Sequence, residues 1–403
     1  MELEELRRRL RRLNVVRVAV LARTTRPCAR PPAELQTLSL EARTTPAGMA
    51  WVNLQRYPLS HRHGEHVLHE SLSAHEGWRA FMPETPHVRE VLFLDLEATG
   101  LANGSGTLAF LIGLGYFNGT AFVVEQLFLR DPAEEQAMLM LLEQRLASCR
   151  WLVTFNGRAF DVPVLQARFV IARLPSVLDA LPHLDLLPIS RAIWRQVLSS
   201  CRLGVLEQRL LGVKRSHDDV PSALIPQLYQ DYLRGQADLA GDMRRVMYHN
   251  AQDVLSMVVL WTRIGSVFAT PRTPNEHMAL GHRWERMGEL MRAEHHYRAA
   301  VTAAEQVLLA AQRKLARALK RQARHEEAFP YWCRLADAGD VEGMVEAARH
   351  LERWRGDPCA ALAWLERAFH LPLSDADRSA LEQRCARLRH KCAQQTSAPS
   401  NSA

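Results

Sequence analysis

The stretch Val91-Leu92-Phe93-Leu94-Asp95-Leu96-Glu97-Ala98-Thr99-Gly100 decides how this chain is read. Four apolar residues lead into an acid, an apolar residue and a second acid, and Thr-Gly closes the run. A short apolar run bounded by a turn signal predicts a buried strand, here over 91–97. Side chains alternate along a strand, so Asp95 and Glu97 share one face. Two carboxylates leaving a core strand together repel unless something positive lies between them. Oxygen ligands suit magnesium or manganese. A lone Asp-x-Glu is more simply a strand end meeting solvent, and only the surrounding chain alters that balance.

Downstream, 107–117 reads as a second strand, with Gly113 and Gly115 marking bulges or close backbone approach. Asn118-Gly119 is a hairpin signal, and 121–129 follows as a third strand. Helical periodicity covers 134–147, a fourth strand 151–155, a helix 160–172 and a fifth strand 183–186. Helices are expected at 189–198, 203–211, 225–234 and 238–264. Three hairpin-linked strands, then helix, strand, helix, strand, is the order of a ribonuclease-H-like mixed sheet.

Residues 1–48 form a basic, partly disordered segment, with a short charged helix over 1–13 and a loose stretch over 24–48. Residues 49–88 are a small strand-rich lead-in holding Trp51, Tyr57, Trp78 and Phe81, and 89–268 are the ribonuclease-H-like domain. After Pro271–Pro274 the chain is Ala-rich and helical over 275–392, and 393–403 is a disordered tail. Ala293-Glu294-His295-His296-Tyr297, Ala328-Phe329-Pro330-Tyr331-Trp332 and Ala360-Ala361-Leu362-Ala363-Trp364 align at shifts of 35 and 32 residues, a period that fits tetratricopeptide-like hairpins.

Bulk properties narrow the class only mildly. The 403 residues suffice for two or three domains, and 47% hydrophobic with 24% charged residues is ordinary for a globular protein. A formal net charge of +7 permits a polyanionic partner without demanding one. Seven scattered cysteines, with no Cys-x-x-Cys, point to a reducing compartment and no zinc site. No apolar run reaches spanning length, so a cytoplasmic protein without a membrane segment is expected. His61, His63, His66 and His69 lie close together but lack ligand spacing, and read as polar surface.

Two further acidic stretches change the odds on Asp95 and Glu97. Asn156-Gly157-Arg158-Ala159-Phe160-Asp161-Val162-Pro163 sits where a strand gives way to a helix. Tyr248-His249-Asn250-Ala251-Gln252-Asp253-Val254 lies on a strongly apolar helix, where His249 and Asp253, four apart, share a face. Singly, Asp161 is a helix cap, Phe160 plain core, and His249–Asp253 a satisfied pair. Together, four acids from two strand ends and a helix converge on one sheet.

Here the chain resembles a known family. Asp95-Leu96-Glu97-Ala98-Thr99-Gly100 is similar to the first motif of the DEDD 3′-5′ exonucleases. Asn156, Phe160, Asp161 and Pro163 resemble the second motif of family-B DNA polymerase proofreading domains, and His249-Asn250 with Asp253 resembles their third. The stretches SGTLAFLIGLGYF, RSHDDVPSALIP and YHNAQDVLSMVVL look more specifically like the YprB-type ribonuclease-H-like family, over roughly 50–265. With three residues between it and Asp253, His249 stands where one exonuclease subclass has Tyr, and Tyr248 stands where the other has His.

The resemblance implies an α/β ribonuclease-H-like mixed-sheet domain followed by an all-α tetratricopeptide-like repeat domain. It implies a metal-dependent 3′-5′ exonuclease acting on single-stranded DNA or RNA by a two-metal mechanism. Two Mg2+ or Mn2+ ions would be held by Asp95, Glu97, Asp161 and Asp253, with Asp95 shared between them. His249 rather than Tyr248 is expected to orient the attacking water. Thr99, Gly100, Asn156, Phe160 and Asn250 are the expected substrate contacts, Phe160 by wedging or stacking a base, with helix anchoring as the other role open to Asn250. Asp185 is expected to cap a helix, and the charged loop 214–219 to line the substrate groove or to be an ordinary solvated loop. The alternative is a catalytically idle nuclease fold that binds nucleic acid and recruits protein partners through its helical repeats. Arg313, Lys314, Arg317, Lys320, Arg321 and Arg324 form a basic helical face that could hold nucleic acid, although a solvated face is commoner.

Overall fold

The computed structural model describes residues 37–82, 84–100, 106–235, 239–302 and 308–396. The expected helix over 1–13 therefore lies outside the described residues, as does the tail beyond Thr396.

The N-terminal part is built on one sheet. Its strands are β1 (Glu41–Thr45), β2 (Gly48–Pro58), β5 (Val91–Ala98), β6 (Ala109–Asn118), β7 (Ala121–Phe128), β8 (Trp151–Thr154) and β9 (His183–Asp185), while β3 (Arg62–His63) and β4 (His66–Val67) form a separate small hairpin. The sheet order is β1-β2-β7-β6-β5-β8-β9. From β1 to β5 every neighbour is antiparallel, and β8 and β9 continue parallel to β5. Parallel strands need crossovers, and helices supply them. Helix α3 (Glu135–Leu146) leads into β8, and α4 (Asp161–Ala172) leads from β8 toward β9. Val91 to Leu94 are all at most 3% exposed, which places β5 at the centre of the core.

Three expectations are corrected here. Residues 49–58 are no separate lead-in, because β2 pairs with β7 along eight residues and so belongs to the main sheet. Within the stretch expected to be loose, Glu41–Thr45 forms the edge strand. Residues 70–81 are helical rather than stranded, as α1 (Glu70–Ser73) and α2 (His75–Phe81). Trp78 explains the last point: it is fully buried, stacks on Trp261 at 4.4 Å, and donates from its indole nitrogen to the Trp261 carbonyl at 3.0 Å.

After β9 come α5 (Leu186–Trp194), α6 (Leu203–Leu206) running into a π-turn over Glu207–Leu211, α7 (Ile225–Arg234) and the long α8 (Leu239–Ala269). Contacts divide the chain into two compact units, one of residues up to 191 with 199–270 and one of 192–198 with 271–403. The second unit carries α9 (Pro274–Arg286), α10 (Leu290–Val301), α11 (Leu308–Arg321), α12 (His325–Asp337), α13 (Val341–His350), α14 (Pro358–Ala368) and α15 (Asp375–Thr396), each packed on the next. Burial aligns Ala293 and Tyr297 with Ala328 and Trp332 and then with Ala361 and Leu365, so the second shift is 33 residues (328 to 361) rather than 32. The helix α15 also carries four residues of the expected tail. Among the described residues no single helix is long and apolar enough to cross a membrane.

Two features of this unit overturn simple readings of the sequence. Cys359 and Cys392 form a disulfide, with Cα atoms 5.2 Å apart, because antiparallel packing brings the start of α14 beside the end of α15. The basic face of α11 is not free: Arg317 bonds Glu342 at 2.7 Å, Lys320 meets Glu346 at 2.6 Å, Lys314 and Arg321 share Glu285, and Arg313 pairs with Asp340. Arg324 holds Glu294 and Glu327.

Candidate active site

Strand β5 delivers Asp95 and Glu97 on one face, as period-two alternation requires. In register, Asp95 stands opposite Gly113 of β6. A Cβ on Gly113 would lie 2.2 Å from Asn250 Oδ1 and 2.9 Å from Val254 Cγ2, so the bare glycine lets α8 press onto the sheet. Of the two readings of Gly113 and Gly115, close approach is the one seen. Asn250, fully buried, fixes the crossing. Its Nδ2 donates to the Asp95 carboxylate at 2.9 Å and to the Asp95 carbonyl at 3.3 Å, and its Oδ1 accepts from Gln126 Nε2 at 2.9 Å. Of its two expected roles, the anchor is the one the hydrogen bonds display.

One residue before and three residues after Asn250, α8 brings His249 and Asp253 to the acids of β5. Ligand atoms of Glu97, His249 and Asp253 lie within 4.8 Å of one another. Asp161, the first residue of α4, is 6% exposed and accepts from the Leu96 backbone N–H at 3.1 Å, which ties the helix start to β5 between the two acids. A cleft of about 490 Å³ opens beside them, lined by Asp95, Leu96, Phe155, Asn156, Phe160 and Asp161.

Crowding makes the carboxylates reluctant to ionise. Burial, then Asp253, Glu97 and Asp161, pushes Asp95 well above the usual carboxylate range, against the Asn250 hydrogen bond. Burial, then Asp253 and Asp161, does the same to Glu97. Burial pushes Asp161 up to about 7, although its own and the Leu96 backbone N–H groups favour the charged form. Burial raises Asp253 too, while Arg215 and His249 pull it back. Acids that raise one another are the signature of a site short of positive charge. The donor set of four carboxylates and one imidazole fits a hard or borderline divalent cation such as magnesium or manganese.

The sequence did not foretell how the loop before Pro221 enters this site. Arg215 is 15% exposed at its side chain and grips Glu207 through Nε at 2.8 Å and Nη2 at 2.6 Å, while Nη2 also donates to Asp253. Glu207 accepts from Ser256 Oγ at 2.6 Å, and Ser256 lies 2.8 Å from His63 Nε2. Ser256 has one proton, which goes to Glu207, so His63 is the donor to Ser256. Burial lowers the His63 pKa to about 4, which keeps it neutral for that role, and it is no surface histidine. Asp219 of the same loop holds His249 Nδ1 at 2.7 Å, and His249 Nε2 faces Ser222 Oγ at 3.2 Å and Asp253 Oδ2 at 3.4 Å. Tyr248 turns the other way and accepts from the Ser216 backbone N–H at 3.0 Å. The advance signals were the charge density of residues 214–219 and the family-like stretch that begins at Arg215, and neither names a partner.

The remaining expected substrate residues divide. Phe160 and Asn156 line the cleft. Asn156 adopts a left-handed backbone (φ 68°), and its N–H donates to Asp185 at 2.8 Å. Asp185 also accepts from Arg158 N–H at 3.2 Å and Leu187 N–H at 3.0 Å, so it caps α5 and clamps the 156–158 loop at once. Thr99 Oγ1 accepts from the Leu108 N–H at 3.0 Å, closing the end of β5, and the residues just after Gly100 lie outside the described set.

A family-model match agrees with this architecture. A family model described as RNase_H superfamily matches residues 92–264. Across 360 residues the chain is 29% identical to YprB of Bacillus subtilis (strain 168), covering 83% of this chain and 84% of that protein. Among solved structures it is similar to the family B DNA polymerase from the hyperthermophilic archaeon Pyrobaculum calidifontis, at 14% identity and a TM-score of 0.35, over 59% of this chain and 34% of the polymerase. Residues 92–264, which hold every acid of the cluster, match the RNase H superfamily model, and most of the chain is similar to YprB.

Proposed function

We propose that the protein is a divalent-metal-dependent nuclease that shortens single-stranded DNA or RNA from the 3′ end. One observation carries the reading: Asp95 and Asp161 line a cleft, and Glu97, Asp253 and His249 gather beside Asp95, the acids coming from β5, α4 and α8. Glu97 and Asp253 would hold one divalent ion, with Asp95 and Asp161 completing the set for a second. When bound, the ions supply Lewis-acid stabilisation of the charge that develops on the phosphodiester oxygens. Asp219 keeps His249 Nδ1 protonated, which leaves a lone pair on Nε2 to receive a proton from the attacking water. Asn250 fixes the Asp95 rotamer, and Phe160 offers a ring to a terminal base. The helical unit would serve as a docking arm for protein partners.

The test uses 3′- and 5′-labelled single-stranded DNA and RNA with manganese, magnesium or chelator, beside Asp95→Ala. Stepwise loss from the 3′ end, absent in the variant and with chelator, is the expected result, and the two substrates name the preference. Equal cleavage by Asp95→Ala would sink the assignment. A second reading, an idle nuclease fold that binds nucleic acid, is favoured by the ion pair between Arg215 and Asp253, and predicts binding without cleavage in every metal.

A further inference from the structure

We infer that Arg215 is a built-in counter-cation that occupies Asp253 in the metal-free site and gives it up when a divalent ion binds, remaining anchored on Glu207. The inference rests on the metal-dependent reading above and adds a control element to that site.

The hydrogen bonds distinguish an anchor from an exchangeable contact. Toward Glu207 the guanidinium is bidentate, through Nε at 2.8 Å and Nη2 at 2.6 Å. Glu207 is 1% exposed and is itself held by Ser256, which is fully buried and backed by His63. Bidentate pairing of a buried carboxylate is the strongest arrangement available to arginine. Toward Asp253 there is one contact, from the second proton of Nη2, and the Nη1 contacts are longer: 3.2 Å to His249 Nδ1 and 3.5 Å to Asp219. Asp253 is also one of the three residues whose ligand atoms lie within 4.8 Å of one another. The same carboxylate is therefore claimed by a fixed cation and by the donor set of a mobile one. A divalent ion at Asp253 competes with the Arg215 hydrogen bond and sits near a fixed positive charge, and both effects weaken its binding. In return, the metal-free protein is spared an unpaired Asp253.

The geometry of the loop supports exchange at one end only. Residues 215–219 are tied to α8 by the Ser216 N–H to Tyr248, by Arg245 to the carbonyl of Asp218 at 3.3 Å, and by Asp219 to His249. Loss of the Asp253 contact leaves all of these in place, so the exchange needs no opening of the fold.

The test is isothermal titration of Mn2+ into metal-free full-length protein, for wild type, Arg215→Gln, Arg215→Lys and the double variant Glu207→Gln/Arg215→Gln. The double variant leaves no unpaired Glu207 and retains the wild-type net charge, so it guards against misfolding of the single one. Arg215→Gln and the double variant should bind Mn2+ at least tenfold more tightly than wild type. Arg215→Lys, which keeps the charge, should stay within about threefold. Unfolding midpoints measured without metal should fall for Arg215→Gln, and saturating Mn2+ should raise them by more than in wild type. Unchanged or weaker binding in the folded double variant, with measurable binding in wild type, overturns the exchange alone. No Mn2+ binding in wild type or any variant overturns it together with the metal-dependent reading.

Discussion

At the level of single residues, what was legible in advance was spacing. Asp95 and Glu97 are two apart on a strand and His249 and Asp253 four apart on a helix, and both periods place the side chains as observed. What was not legible was who neutralises whom, because the Arg215–Glu207–Ser256–His63 chain joins residues up to 193 positions apart. Asp161 offers a direct test of the electrostatic picture. Its ordinary pKa is near 4, and burial pushes it up to about 7 in the fold. Between those values the folded protein binds more protons than the unfolded chain, so stability of the metal-free protein falls as pH rises through that window. Asp161→Asn keeps an oxygen for the Leu96 N–H but cannot ionise. Its unfolding midpoint in chelator at pH 8 should exceed that of wild type, and the gap should close toward pH 4–5. A wild-type midpoint that rises with pH over this range, or a variant that tracks it in parallel, refutes the assignment.

At the level of elements, the helix–sheet crossing is the part that fixes the site. Sequence pattern gave the strands β5 to β9 and helix α8 within a few residues, since each is long or strongly patterned. It failed at 70–81, where a short aromatic run has no period of its own. Its helical state is imposed by packing on Trp261, and by Gly77, whose added Cβ would lie 2.0 Å from the Gly265 carbonyl oxygen. The crossing of α8 on β6 depends in the same way on Gly113. Gly113→Ala should cost about 1–3 kcal/mol of stability, the usual penalty for overpacking. It should also weaken Mn2+ binding, because the methyl group displaces the Asn250 amide that holds Asp95. Gly106→Ala, with nothing within 4 Å of its added Cβ, is the control. Urea denaturation and Mn2+ titration of the two variants decide the point, and equal effects would show that the crossing tolerates a methyl group.

At the level of the whole molecule, the two units answer to different rules. The first collects charges that cannot be paired internally, and the second pairs nearly every charge it displays along α11. The sequence showed six basic residues on one helical face but not the acids of α9, α10 and α13 that meet them, since those partners lie 25 to 36 residues away and depend on which helices are neighbours. Each pair is partly exposed, so each contributes little to stability, about 0–1 kcal/mol. Their larger consequence is that this face offers little free positive charge to a polyanion. Replacing Arg313, Arg317 and Lys320 together by Gln therefore tests where nucleic acid lies. If these residues contacted phosphates of a single strand, the slope of log K against log salt would shrink by about 2 for three lost contacts. With the cations engaged by Asp340, Glu342 and Glu346, the slope measured by fluorescence anisotropy on a labelled oligonucleotide should stay at the wild-type value. The unfolding midpoint of the variant should fall instead. A slope reduced by the full amount would place the strand on the helical unit and remove the reason for assigning binding to the acidic cleft alone.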